Sequence, residues 1–194
     1  MRILIRMFTK SAEKLFLCRF CVIMGLVMNM KKEKEIPQRK RLRLQNFNYH
    51  SYGAYFITIC TKNRQMLFAP VGADSISARM VERTFRETIR QYDGVDSPIY
   101  VVMPNHFHAI ITISWADMES APTVSEIVQA FKRYSTLEYI KMVKDGILPP
   151  FDKQIWQRSF YDHIIRNQYD YNEIYEYIYE NPVKWKFDPL YAEE

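Results

Sequence analysis

Residues 98–113 limit the fold more than any other stretch: two apolar, β-prone runs, 98–103 and 107–113, are broken only at Pro104 and Asn105. Proline has no backbone N–H and asparagine readily bonds its own backbone, so the break reads as a turn between two strands. The segment Val101-Val-Met-Pro-Asn-His106-Phe-His108-Ala-Ile-Ile111 spans it. Alternate residues of a strand share a face, so His106 and His108 project together while Phe107 points the other way. Two imidazoles side by side can chelate one cation; the other reading is a polar pair on a solvated strand face. The strand is otherwise nearly all apolar and the chain has four histidines, which favours the first.

Around this pair helices and strands alternate. Residues 54–61 (AYFITICT) are β-branched and aromatic, a buried strand. After the breakers Pro70 and Gly72, Ser75 can cap a helix running to about Tyr92. Ile76, Met80, Phe85 and Ile89 give it an apolar stripe; Arg79, Arg83, Arg86 and Arg90 form another, with Glu82 and Glu87 placed for surface pairing. Gly94 ends that helix. A second follows Pro122 and Thr123, with Val124, Ile127, Val128 and Phe131 inward, until Gly146, Pro149 and Pro150. Residues 155–165 read as extended. Asn167 caps a last helix that must stop by Asn181, because Pro182 follows. The order β-α-β-β-α-β-α contains the split-βαβ unit, so the expected class is α+β: a ferredoxin-like antiparallel sheet, helices on one face, plus a C-terminal helix.

Three stretches divide the chain: an atypical extension (1–30), a basic arm (31–45) and one domain (46–190). The net charge is +5, and residues 31–43 hold seven basic against two acidic residues, so the body is near neutral. That excludes a globally cationic scaffold; the arm either tracks phosphates or an anionic surface, or is a solvated tail. The extension is apolar from 15 to 28 except Arg19, lacks a small-x-small cleavage site, and its unbroken apolar run, 20–28, is too short to span a bilayer. The expectation is a start at Met28 or Met30 and no membrane anchor. Cys18 and Cys21 form a lone CxxC, weak as a zinc signal, and Cys60 reads as a small core hydrophobe. Three cysteines cannot all pair, which fits a reducing cytoplasm.

The last helix carries YDYNEIYEYIYENPVK from Tyr169. Tyr177 and Asn181 lie one turn apart on one face, where a phenol and an amide oxygen could serve as nucleophile and metal ligand. They could equally be a core aromatic and a stop signal. Five tyrosines crowd the helix, and spacing does not choose among Tyr171, Tyr175, Tyr177 and Tyr179. Ile174 and Ile178 mark the core side and leave Tyr177 beside it, near the sheet.

VVMPNHFHAII, IWQRSFYDHIIRN and EYIYENPVKW, in this order, resemble the REP-associated tyrosine transposases, single-tyrosine enzymes of the insertion-sequence-200-like type. They belong to the HUH superfamily (His, bulky hydrophobic, His) of single-stranded DNA endonucleases. The resemblance covers roughly residues 38–189. It implies His106 and His108 as metal ligands, Tyr177 as nucleophile and Asn181 as third ligand. It further implies Mg²⁺ or Mn²⁺, a 5′-phosphotyrosine intermediate with a free 3′-hydroxyl, and, as partner, a DNA hairpin with a short single-stranded tag. Arg39, Lys40, Arg41 and Arg43, with Lys132 and Arg133 of the second helix, are the expected DNA contacts. His163 reads either as a group supporting the site or contacting DNA, or as a satisfied structural histidine. The chain is expected to act in the cytoplasm, at the nucleoid, as a monomer or homodimer.

Three rivals stand against this: a hairpin-binding protein derived from a transposase but without catalysis, a small-substrate hydrolase with a bis-histidine metal, and an RNA-binding ferredoxin-like domain. The hydrolase would want a carboxylate or third histidine as a further ligand, and the histidine motif contains neither.

Overall fold

Among the described residues, four strands and three α-helices follow one another in the expected order. They are β1 (Gly53–Cys60), α1 (Ile76–Ile89), β2 (Val95–Met103), β3 (His106–Ile113), α2 (Val124–Lys144), β4 (Tyr161–Ile165) and α3 (Gln168–Glu180). The computed structural model describes residues 52–69, 75–114 and 122–191. The N-terminal extension with Cys18 and Cys21, and the basic arm with Arg39, Lys40, Arg41 and Arg43, lie outside the described residues.

Local chemistry sets the helix starts. Ser75 accepts from the Ala78 N–H at the head of α1, and Asn167 accepts from the Asp170 N–H at the head of α3. Thr123 and Glu126 form a reciprocal capping box on α2. Each cap satisfies an N–H that the first helical turn leaves without a partner, worth about 1 kcal/mol. Gly94, at φ 69°, turns the chain from α1 into β2.

The strands pair antiparallel in the order β2-β3-β1-β4, which is the ferredoxin-like arrangement. β2 is an edge strand, and its register slips between Asp96 and Ile99 around Pro98. Proline cannot donate to the ladder, so an edge bulge is where it fits. The Ser97 hydroxyl donates to the Ile110 carbonyl at 2.7 Å there.

The two faces of the sheet are covered differently. On one, Tyr55, Ile57, Ile59, Phe107, Ala109 and Ile111 meet the buried sides of α1 and α2. Phe107 packs against Phe85 and Phe131 with ring centroids 4.7 and 5.0 Å apart. Burying one such ring contributes about 2–3 kcal/mol. On the other face stand Phe56, Thr58, His106 and His108, by strand alternation and register, under α3. Covered from both sides, β3 is buried at seven of its eight residues, which is why it reads as a continuous apolar run.

One expectation is corrected. Residues 155–165 are not continuously extended: only Tyr161–Ile165 is a strand, and Trp156 makes an isolated bridge to Thr61. Between them the Lys132 ammonium donates to the carbonyls of Gln157, Arg158 and Ser159 at 2.9–3.3 Å. A side chain thus satisfies backbone acceptors that a strand partner would otherwise take.

Candidate active site

β3 places the two imidazoles, and burial sets their charge state. Both are fully buried. Desolvation holds the His106 ring well below the usual histidine range, with the neighbouring His108 ring and Arg64 acting the same way. Desolvation also pulls His108 down to about 4, against the opposing pull of Asp188 and a backbone hydrogen bond to Ile57. Both rings are therefore neutral near pH 7, the form that ligates metal.

The hydrogen bonds around His106 select its tautomer. Asn105 donates its amide Nδ2 to the Leu190 carbonyl at 2.9 Å, which turns its Oδ1 toward His106 Nδ1, 2.7 Å away. An amide oxygen only accepts, so Nδ1 carries the proton and Nε2 keeps a bare lone pair. That Nε2 is buried without a hydrogen-bond partner. For His108, Nδ1 lies 2.8 Å from the Thr58 hydroxyl on β1, and Nε2 faces the Tyr177 hydroxyl at 3.3 Å.

α3 lies over the histidines and settles which tyrosine meets them. Ile174 and Ile178 anchor its buried side. Tyr177 sits between them in sequence and packs edge-on against Phe56 and His108. Tyr175 and Tyr179 are exposed, at 38% and 74%, and Tyr171 stacks on Tyr175 instead. Asn181, one turn after Tyr177, is buried, and its Oδ1 has no hydrogen-bond partner.

The residue that neither histidine nor tyrosine motif foretold is Asp188. It follows a short 3₁₀ turn, Trp185–Phe187, and its Oδ2 accepts from the Tyr177 hydroxyl at 3.1 Å and from Asn181 Nδ2 at 2.7 Å. One potential ligand atom each from His106, His108 and Asp188 lie within 4.8 Å of one another. Its only sequence signal is an acidic residue seven positions past Asn181.

Two imidazole nitrogens and a carboxylate converge, Asn181 reaches that carboxylate through its Nδ2, and two buried acceptors, His106 Nε2 and Asn181 Oδ1, are left bare. Buried polar atoms without partners are rare, and an ion is one recognised reason for them. The donor set suits a divalent cation that accepts both nitrogen and oxygen.

The other expected residues fall elsewhere. His163 pairs with Asp170 at 3.0 Å, joining β4 to the first turn of α3 rather than touching the histidine pair. Lys132 holds the 157–159 loop, and Arg133 is exposed with its guanidinium over the Tyr134 ring. Both belong to α2, on the sheet face opposite the histidines. Arg83 pairs with Glu138 at 2.8 Å and with Glu87 at 4.0 Å. Trp156 is core, donating to the Ser135 hydroxyl.

A ferredoxin-like sheet offering a buried histidine pair to a tyrosine-bearing helix is the frame of a single-tyrosine transposase. The chain belongs to the family described as Transposase IS200 like, whose family model matches residues 46–181. It is 31% identical over 180 residues to an uncharacterized protein of Haemophilus influenzae, covering 86% of this chain and all of that relative. It is 26% identical over 136 residues to the REP-associated tyrosine transposase of Escherichia coli strain K12, 70% of each chain. A solved structure of a REP-associated tyrosine transposase bound to a REP hairpin is similar at a TM-score of 0.52, over 74% of each chain and at 26% identity. No helix among the described residues is long and apolar enough to cross a membrane.

Proposed function

We propose that this chain is a metal-dependent single-stranded DNA endonuclease and strand transferase that cuts beside repeat-derived hairpins. The observation that supports it most is the Tyr177 hydroxyl, which lies 3.3 Å from His108 Nε2 and 3.1 Å from Asp188 Oδ2, two members of a cluster that His106 completes. His106, His108 and Asn181 would hold a divalent cation, Mg²⁺ or Mn²⁺, which would supply Lewis acidity toward the phosphate.

The protein's own groups do the rest. Tyr177 attacks phosphorus, its Oη–P bond forming as the bond to the 3′ oxygen breaks, which leaves a 5′-phosphotyrosine and a free 3′-hydroxyl. A free phenol has a pKa of about 10, so its phenolate at pH 7 is scarce by about 4 kcal/mol. Asp188 Oδ2 already accepts from the hydroxyl and is an acceptor at hand for its proton. The energy of the ester stays on the enzyme, so a second 3′-hydroxyl can reverse the step and join strands. The packing of Phe56 against Tyr177 and His108 limits how far the phenol can stray, which favours in-line attack.

Arg39, Lys40, Arg41 and Arg43 are assigned to backbone phosphates, with Arg133 a further exposed cation. The solved relative bound to a REP hairpin supports a hairpin partner. The test is to incubate the protein with Mn²⁺ and labelled single strands carrying repeats that flank its gene. A covalent protein–DNA adduct on a denaturing gel, lost in EDTA, is expected. Tight hairpin binding with no adduct at any metal concentration would identify a silent DNA-binding descendant instead.

A further inference from the structure

The span matched by the family model ends at residue 181, yet the ten residues after it close the site. The Trp185 ring lies against the His106 ring, 5.7 Å between centroids, and Tyr191 backs Trp185 at 5.2 Å. Leu190 is buried, and its carbonyl orients Asn105. Between these contacts Asp188 enters the histidine face at 8% exposure.

No cation pairs with that carboxylate: none of the ion pairs among the described residues involves Asp188. Its hydrogen bonds come from neutral donors: the Tyr177 hydroxyl, the Asn181 amide and, to Oδ1, the Leu190 N–H at 2.6 Å. A buried carboxylate normally keeps a counter-charge, because desolvating it alone is expensive. The bare nitrogen of His106, in the same cluster as Asp188, supplies none, and neither does the bare Oδ1 of Asn181, whose Nδ2 donates to Asp188; a cation would answer all three.

We propose that Asp188 is a ligand of the metal, so that the C-terminal tail completes a four-residue site of His106, His108, Asn181 and Asp188. This rests on the metal-dependent reading above and adds to it the one negative charge of the set. The other three ligands are neutral, and without Asp188 the full double charge of the cation would sit desolvated among them. A carboxylate and an amide oxygen would bring the donor set to two nitrogens and two oxygens, a mixture that Mn²⁺ accepts. Oδ1 accepts from the Leu190 N–H, while Oδ2 is the oxygen turned toward Tyr177 and Asn181, so Oδ2 would be the atom offered to the cation.

The experiment is calorimetric titration of MnCl₂ into the full-length, EDTA-stripped protein, for wild type, Asp188→Asn and Tyr177→Phe. Wild type should bind one Mn²⁺, and Asp188→Asn should weaken it by at least about tenfold. Tyr177→Phe, which removes one hydrogen bond to the same carboxylate, should leave the affinity undiminished. Melting curves in EDTA establish that Asp188→Asn is folded; Asn at 188 still offers an oxygen to the Leu190 N–H. If that variant does not fold, Mn²⁺-soaked wild-type crystals decide the matter: anomalous scattering should place the ion at bonding distance from Asp188. Unchanged Mn²⁺ affinity in a folded Asp188→Asn, or an ion bound away from Asp188, would reduce the residue to a positioner of Tyr177 and Asn181. Failure of wild type to bind Mn²⁺ at all would instead overturn the metal-dependent reading and this assignment with it.

Discussion

The side chain of Asn105 bridges the Leu190 carbonyl, 85 residues later in the chain, to the ring of His106. One amide thereby couples the turn before β3 to the C-terminal tail and decides which nitrogen of a buried histidine carries the proton. Asn105→Ala removes both bonds and leaves the Leu190 carbonyl and His106 Nδ1 buried without them. The expected loss is about 2–4 kcal/mol, since each stranded group contributes about 1–3 kcal/mol, read by urea denaturation in EDTA. Mn²⁺ affinity should fall as well, because the ring is then free to present its protonated nitrogen to the site.

Tyr177→Phe should abolish strand cleavage and adduct formation while hairpin affinity stays near wild type, since only the attacking oxygen is removed. Tyr175→Phe and Tyr179→Phe should cleave normally, as both rings are exposed. Gel assays with labelled single strands check all three. An adduct persisting in Tyr177→Phe would assign the nucleophile to another residue.

Stability should drop in mild acid. An unfolded histidine takes up its proton near pH 6.5, whereas folded His108 resists until about pH 4, and His106 is lowered in the same direction. Between those limits the unfolded chain binds more protons, so stability decreases as pH falls from 6.5 toward 4. His108 alone accounts for about 3 kcal/mol of that loss. Denaturation midpoints in EDTA at pH 7.5, 5.5 and 4.5 should decline in that order; a flat profile would mean the rings protonate without unfolding.

Lys132→Met should destabilise the fold by about 1–3 kcal/mol, because three loop carbonyls are deprived of their charged donor. Its effect on hairpin binding and on salt dependence should be negligible. Removing residues 31–43 should do the reverse, leaving stability alone and lowering the salt slope by about 0.7 for every single-strand phosphate that the arm no longer neutralises. Binding isotherms over a range of KCl, beside melting curves, separate the two outcomes.

The elements are legible where short-range chemistry dictates them: Ser75, Thr123 and Asn167 cap the three helices, and strand alternation puts His106 and His108 on one face. The paired strands around Pro104 and Asn105 announce the hairpin for the same reason. The choice of Tyr177 is not a matter of spacing. It depends on the angle at which α3 crosses the sheet, and the tyrosine pattern of the helix carries no information about that angle. Asp188 is harder still: it follows Pro182 and a single 3₁₀ turn, a segment with no periodicity to assign it a face. Lys132 reads as a phosphate contact because a lysine on an amphipathic helix usually faces water; its loop comes from residues 25–27 positions away, beyond any local pattern.

Cys60 points to the histidine face of the sheet, directly across the ladder from His106. Burial, with Asp188 adding to it, pushes its thiol up to about 11. A thiol that stays protonated at neutral pH is a poor target for peroxide and alkylating agents, which react with the thiolate. The cysteine bordering the candidate centre is therefore chemically quiet, so the proposed cleavage should persist under thiol-alkylating conditions that silence thiol-dependent nucleases.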